Sequence, residues 1–267
     1  MQHSGFTGSF MINLTYDLHI HSCLSPCGDD DMTPGNIVGM AAIKGLDVIA
    51  LTDHNTCRNC PAAMAIGEQY GVMVIPGMEI NTSEEVHAVC LFPTLEKALA
   101  FDTYVYERLM KFPNKEAVFG RQLLCNEEDE IVGTEPYLLI NSADISFDDL
   151  WELVRSYEGV MFPAHVEKSA NSLIANLGFV PPDSRFRTAE LKDLKKLHEV
   201  RRTNPYLNDC RIISNSDAHY LEHINEPELT IMVREKSVQA VIDALLGEQL
   251  LSGKQKSALQ KGKTGVK

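Results

Sequence analysis

Short apolar runs alternate along the chain with stretches of helical periodicity. The runs predict strands at 14–21, 46–52, 72–75, 86–92, 159–164, 210–214 and 229–233. Between the first two, Thr33-Pro34 precedes Ile37, Val38, Met40, Ala41 and Ala42, which predicts a helix. Thr33 suits the cap, Pro34 the first helical position and Gly45 the stop. A second helix is predicted over 61–70, ending at Gly71. Repeated strand–helix–strand units favour parallel strands with helices outside, as a barrel or an open sheet.

Polar residues then change the picture, because they fall where the apolar runs end. In Tyr16-Asp17-Leu18-His19-Ile20-His21 the histidines stand at i and i+2, on one face of a strand. Asp53-His54, Glu79, His165 and Asp217-Ala218-His219 lie at or just past the ends of other predicted strands. His87 lies near the start of its run and is expected to project into the same mouth from that side. In parallel α/β folds the carboxyl ends of the strands converge on one face, and the loops there carry the chemistry. The barrel is therefore favoured, and five loops supplying His, Asp and Glu predict a metal site suited to zinc, manganese or iron.

Length and composition set outer limits. A chain of 267 residues accommodates one large α/β domain or two modest ones. No apolar run approaches the ~18–20 residues of a membrane helix. Residues 1–11 have no basic start and no long apolar stretch, so no secretory signal is read and a cytoplasmic protein is expected. Seven scattered cysteines fit reduced thiols better than a disulfide framework. Cys23 and Cys27 with Cys57-Arg58-Asn59-Cys60 offer a separate zinc site or a redox pair, both less favoured than loops ringing the pocket. The formal net charge is −13, although 252–267 holds five lysines and no acid. That basic tail reads as a solvated, disordered end, and the acidic remainder argues against long duplex nucleic acid as a partner.

Taken in order, His19-x-His21, Thr52-Asp53-His54, Glu79 with His87 downstream, Ala164-His165 and Ser216-Asp217-Ala218-His219 resemble the motifs of the PHP (polymerase and histidinol phosphatase) family over 16–220. The resemblance implies a distorted seven-stranded β/α barrel, here over 12–250, with two or three divalent metal ions (Zn, Mn or Fe) at its mouth. It implies that His19, His21, Glu79 and Asp217 hold the first ion. Glu79 would bridge to a second, held also by His87 and His165, while His54 and His219 would hold a third. In the family the third position draws a further ligand, often aspartate, from the loop after the His-x-His. Counting back from Thr33-Pro34 selects Asp29, the preferred candidate, whereas counting forward from His21 points near Cys27, a softer ligand.

A second departure concerns substrate. Family members acting on small phosphates often follow the Ala-His with Pro and then Arg, but this chain reads Val166-Glu167-Lys168. Lys168 offers a point charge without the planar fork of arginine, and Arg58, Arg185 and Arg187 are further candidates for gripping phosphate. Asp53 is expected to orient a ligating histidine in preference to shuttling a proton.

Residues 94–149 interrupt the motif order and include Glu127-Glu128-Asp129-Glu130. Amphipathic patterns at 95–110 and 147–157 predict a mostly helical insert over the mouth, with a lid and a plain surface excursion equally open. A further helix with a basic face is predicted around 191–202. The leading functional expectation is a metal-dependent phosphoesterase acting on a small phosphate ester, a nucleotide phosphate or a short oligonucleotide. Bound cations would activate water, so no serine or cysteine nucleophile is required. The alternatives are a metal-dependent hydrolase of another bond, such as an amide, and a non-catalytic metal-binding module.

Overall fold

The computed structural model describes residues 10–247, so the basic tail expected at 252–267 lies outside the described residues. In chain order the elements are β1 (Ile12–Ile20), α1 (Pro34–Lys44), β2 (Val48–Leu51), α2 (Cys60–Tyr70), β3 (Met73–Asn81), β4 (His87–Leu91) and α3 (Leu95–Arg108). There follow α4 (Glu116–Phe119), β5 (Leu123–Cys125), β6 (Ile131–Thr134), α5 (Phe147–Ser156), β7 (Val160–Pro163), α6 (Leu173–Leu177), β8 (Thr188–Glu190), α7 (Leu197–Thr203), β9 (Arg211–Ile213), β10 (Thr230–Val233) and α8 (Val238–Leu245). The end signals act as expected on the first helix: Thr33 Oγ1 accepts from the Asn36 N–H, and Gly45 closes the helix in the left-handed region at φ 79°.

Six strands form one curled sheet in the order β10-β1-β2-β3-β4-β7. The fold is therefore α/β, and the sheet is a half-barrel. Strands β1, β2 and β3 run parallel, whereas β4 is antiparallel to both β3 and β7, and β10 is antiparallel to β1. The seven-stranded ring expected from the sequence is not laid out as one ladder. Its open side holds a separate parallel pair, β8 and β9, three residues each. Single contacts tie this pair to the sheet: the Val166 N–H donates to the Glu190 carbonyl at 2.9 Å, and the His21 N–H donates to the Ala218 carbonyl at 3.0 Å.

Strand alternation sorts the core into two layers. Leu14, Tyr16, Leu18, Val48, Ala50, Ile75, Val89, Leu91 and Phe162 pack inside the curl, where α8 closes it with Val241, Ile242 and Leu245. Ile20, Ile49, Leu51, Met78, Ile80, Ala88 and Met161 pack outside against α1, α2, α3 and α5. Leu18 and Ile20 belong to different layers although they are two residues apart. The pairing of β1 with β2 shifts between Asp17 and Ile20, which reverses the alternation. His19 and His21 thereby face inward beyond Leu18.

The insert is not mostly helical. It holds α3, the single-turn α4 and the β5/β6 hairpin. Its acidic run forms the hairpin turn, with Asp129 at φ 64°. The Asp129 carboxylate accepts from Thr33 Oγ1 at 2.5 Å and from the Gly35 N–H at 2.7 Å, so the insert caps α1. The helix expected around 191–202 also divides: Leu191 continues from β8, and α7 begins at Leu197. Among the described residues, no helix is long and apolar enough to cross a membrane.

Candidate metal centre

Glu79 sits at the focus of the mouth, near the end of β3, and is buried. Its Oε1 lies 3.0 Å from His87 Nδ1, 3.2 Å from His165 Nε2 and 3.4 Å from His19 Nε2. Its Oε2 lies 3.2 Å from His54 Nδ1 and 3.3 Å from His21 Nε2. Asp217 Oδ1 faces the same pair of imidazoles, 3.3 Å from His21 Nε2 and 3.5 Å from His19 Nε2. His87 reaches the cluster from the start of its strand because β4 is antiparallel, which sets His87 opposite Asn81 at the end of β3.

Two of these residues occupy strained backbone. His165 has φ 30° and Asp217 has φ 48°, conformations that cost about 1–3 kcal/mol each for residues other than glycine. Buried carboxylates hold both in place. Glu190 Oε1 accepts from the His165 N–H at 3.0 Å. Asp17 accepts from the N–H groups of Ser216 and Asn225, both at 3.0 Å, and so fixes the turn that carries Asp217.

Other hydrogen bonds select which ring nitrogen each histidine presents. Glu190 takes His19 Nδ1 with both oxygens, at 3.2 and 3.1 Å. Ser25 Oγ donates to Asp53 at 2.7 Å and therefore accepts from His21 Nδ1 at 3.0 Å. His219 Nδ1 donates to the Asp217 carbonyl at 2.8 Å. In each ring Nε2 is the nitrogen left available to act as a ligand.

Charge within the cluster is strongly coupled. Burial opposes charge on His19, but Glu190, Glu79 and Asp217 outweigh it and hold that imidazole well above its usual pKa. Burial likewise opposes charge on His21, and hydrogen bonds to Asp217 and Glu79 raise it to about 9. Burial pushes Glu79 upward, yet His87, His19 and His54 hold it well below the usual carboxylate range. Burial, reinforced by His21, lowers His219 to about 4. The carboxylates of this pocket are thus stabilised by positive charge that a bound cation also supplies.

The donor atoms converge in three overlapping sets, each with its ligand atoms within 4.8 Å of one another: His19, His21, Glu79 and Asp217; His54, Glu79 and His87; and His21, Cys27, His54 and His219. His165 adjoins the second set through Glu79. His54 Nδ1 is buried without a hydrogen-bond partner, as an unfilled ligand would be. Imidazole and carboxylate donors shared between adjacent sets fit divalent metal ions.

Asp29 is not brought into these sets. Its Oδ1 accepts from the Asp31 N–H at 2.9 Å in an exposed turn, and Cys27 stands with the outer histidines instead. Asp53 does not touch the His54 ring. Its oxygens accept from the Ser22 N–H, Ser22 Oγ and Ser25 Oγ, so it orients His21 through Ser25. Of the cations considered from sequence, Lys168 reaches the cluster, 2.5 Å from Asp217 Oδ2. Arg58 pairs with Glu135 of the insert at 2.6 Å, Arg185 pairs with exposed Glu152, and Arg187 lies beside Gly247.

Sequence reasoning missed Glu190, Ser25 and Lys192, whose Nζ donates to the Ser216 carbonyl. Glu190 ends the three-residue strand Thr188–Glu190, a run too short to register as periodic. Asn55 and Asn81 were missed too. Asn55 Nδ2 donates to the carbonyls of Leu139 and Asn141, both at 2.7 Å, and Asn81 Nδ2 donates to that of Ile140 at 3.0 Å. Both side chains fasten the end of the insert beside the Glu79 cluster.

Fold and site together define an α/β half-barrel of the PHP type with a cluster of candidate metal ligands at its mouth. The PHP domain model matches residues 17–245, and the chain belongs to that family. A 5'-3' exoribonuclease from Haemophilus influenzae is 37% identical over 79 residues, 28% of each chain. A phosphoribosyl 1,2-cyclic phosphate 1,2-diphosphodiesterase from Eggerthella lenta is 37% identical over 65 residues, 24% of each chain. An uncharacterized protein from Methanocaldococcus jannaschii is 37% identical over 93 residues, 32% of this chain and 54% of that protein. The chain thus spans about half or less of the length of these relatives. Among solved structures, the lesion-specific endonuclease Q from Pyrococcus furiosus superposes with TM-score 0.60 at 18% identity, over 91% of this chain and 57% of that one. A second endonuclease Q structure, in complex with a 27-mer duplex bearing an abasic lesion, gives TM-score 0.58. At such identity these likenesses concern the fold.

Proposed function

We propose that the protein is a metal-dependent phosphoesterase that hydrolyses a small phosphate ester, a nucleotide phosphate or a short oligonucleotide, within one PHP-type domain over 12–250. The observation that carries this reading is the bridging position of Glu79. One oxygen faces His87, His165 and His19, and the other faces His54 and His21. A shared carboxylate between two ligand sets suits a pair of ions at one mouth.

In this reading His19, His21, Glu79 and Asp217 hold one ion, and Glu79, His87 and His165 a second, with His54 and His219 facing a third. Divalent ions held there would supply Lewis acidity to a phosphoryl oxygen and would make water nucleophilic near neutral pH. Glu190 and the Ser25–Asp53 pair keep the rings of His19 and His21 aimed. Lys168, partly exposed above Asp217, offers its ammonium group to a phosphate oxygen at the rim. That cation favours a phosphate ester over a neutral amide. The end of the insert, tied down by Asn55 and Asn81, borders the mouth and limits the size of what enters.

The test is phosphate or nucleotide release from phosphomonoesters, nucleotide bisphosphates, cyclic phosphates, short oligonucleotides and lesion-bearing duplex DNA. Manganese- or zinc-loaded protein is compared with a His19→Ala/Asp217→Ala variant. Duplex DNA belongs in the panel because overall acidity does not govern a mouth filled with cations. Activity lost in the variant supports the proposal, and its best substrate fixes the branch. Hydrolysis of amides alone, or silence with metal bound, overturns it in favour of the amide hydrolase or the binding module.

A further inference from the structure

Among the described residues, sulfur joins imidazole in the outer ligand set. The ligand atoms of His21, Cys27, His54 and His219 lie within 4.8 Å of one another. Three independent features place them. The rings of His21 and His219 stack with centroids 4.4 Å apart, and the Asp217 carbonyl takes Nδ1 of His219. His54 is buried at the end of β2, with Nδ1 lacking a hydrogen-bond partner.

Cys27 is carried by a turn whose shape is set by backbone. The Ser25 N–H donates to the Ser22 carbonyl at 3.1 Å, and the Gly28 N–H donates to the Ser25 carbonyl at 2.9 Å. A Cβ on Gly28 would lie 2.3 Å from the Ser22 carbonyl oxygen, so glycine is required for this close approach. The Asp29 N–H then donates to the His219 carbonyl at 3.0 Å and staples the turn to the segment bearing His219. This arrangement turns the Asp29 carboxylate out to the Asp31 N–H and leaves the Cys27 thiol over the imidazoles.

We propose that Cys27 is a metal ligand, and that with His54 and His219 it forms a one-sulfur, two-nitrogen site beside His21 that selects zinc or cobalt(II) over manganese and magnesium. Soft thiolate with imidazole suits zinc-like ions, whereas manganese and magnesium prefer oxygen donors. The inner sets contain carboxylate oxygen and imidazole without sulfur. The mouth therefore combines positions of different metal preference, and its outermost position is the sulfur-bearing one. This holds whatever bond the protein cleaves.

The full chain, stripped with a chelator and reloaded with cobalt(II), should show a sulfur-to-cobalt charge-transfer band in the near ultraviolet. The band should disappear in Cys27→Ser and Cys27→Asp and persist in Cys23→Ser. Wild-type protein alone supplies a second measurement, which needs no variant to fold. Alkylation of Cys27, followed on its own peptide by mass spectrometry, should proceed in stripped protein and stop when zinc is added, but continue with manganese. A cobalt-loaded protein without the band, a band unchanged in folded Cys27→Ser, or Cys27 alkylated equally with and without zinc would overturn the assignment. None of these readouts depends on hydrolysis, so failure here is separate from failure of the phosphoesterase reading.

Discussion

Glu190 presents both carboxylate oxygens to Nδ1 of His19, at 3.2 and 3.1 Å, while its Oε1 also accepts from the His165 N–H at 3.0 Å. One buried side chain from a three-residue strand thus sets the ring of one histidine of the cluster and the strained backbone of another. Asn215 Nδ2 in turn donates to Glu190 Oε2 at 2.6 Å and keeps that carboxylate in place.

Replacing Glu190 should therefore act on metal binding through His19. Glu190→Gln is expected to weaken affinity by about 10–100-fold, the usual effect of losing a hydrogen-bond partner behind a ligating histidine. Competition with a chromophoric chelator measures it. An affinity equal to wild type would show that His19 needs no partner.

Lys168 is expected to act on the phosphate group and not on the metals. Lys168→Met should leave the metal content per chain unchanged and lower kcat/KM for a phosphate ester about 10–100-fold, as for loss of a hydrogen bond to a charged group worth about 1.5–3 kcal/mol. Lys168→Arg should recover part of the loss, since it restores charge with a different geometry. Steady-state kinetics beside elemental analysis separates the two effects.

Asn55 joins the turn after His54 to the insert. Its backbone has φ 53°, which asparagine tolerates better than most residues, and its side chain meets Leu139, Asn141 and the Asn81 N–H. Asn55→Ala should cost about 1–3 kcal/mol by leaving buried groups unpaired. Hydrogen exchange should rise around residues 138–143 before it rises in β2 or β3.

Asp47 makes a pH-dependent contribution at the opposite end of the strands. Partial burial pulls its carboxyl upward, but the Thr15 N–H, the Thr15 hydroxyl and Lys236 outweigh this and lower its pKa. A carboxyl lowered in the folded state stabilises above its unfolded pKa, and the gain is lost as pH falls through the folded value. Asp47→Asn should thus cost about 1 kcal/mol or less at pH 7, since the side chain is partly exposed, and nothing in strong acid. Chemical denaturation of both proteins across that pH range reads the difference directly.

The sequence by itself determined the positions at which polar residues interrupt apolar runs, and thereby the strand ends that carry His21, Asp53 and Glu79. Local rules suffice there: Thr33, Pro34 and Gly45 bound α1 through contacts within a few residues. Glu79 meets His19, His21 and His54 because β1, β2 and β3 lie side by side in parallel, and His87 and His165 because antiparallel β4 and then β7 follow β3 in the sheet.

Other features depended on contacts remote in the chain. The inward turn of His19 and His21 needs the shifted pairing between Asp17 and Ile20, because regular alternation after Leu18 would have sent both rings outward. The hairpin within the insert is held where Asn59 accepts from the Cys125 N–H and Asp129 caps α1, bonds no local periodicity reports. Counting along the loop after His21 left Asp29 and Cys27 as rivals. Backbone bonds from Gly28 to Ser25 and from Asp29 to His219 decided between them, since they set which side chain faces the imidazoles. Position in sequence supplied the donors, and the tertiary structure, by fixing direction, decided which of them share a site.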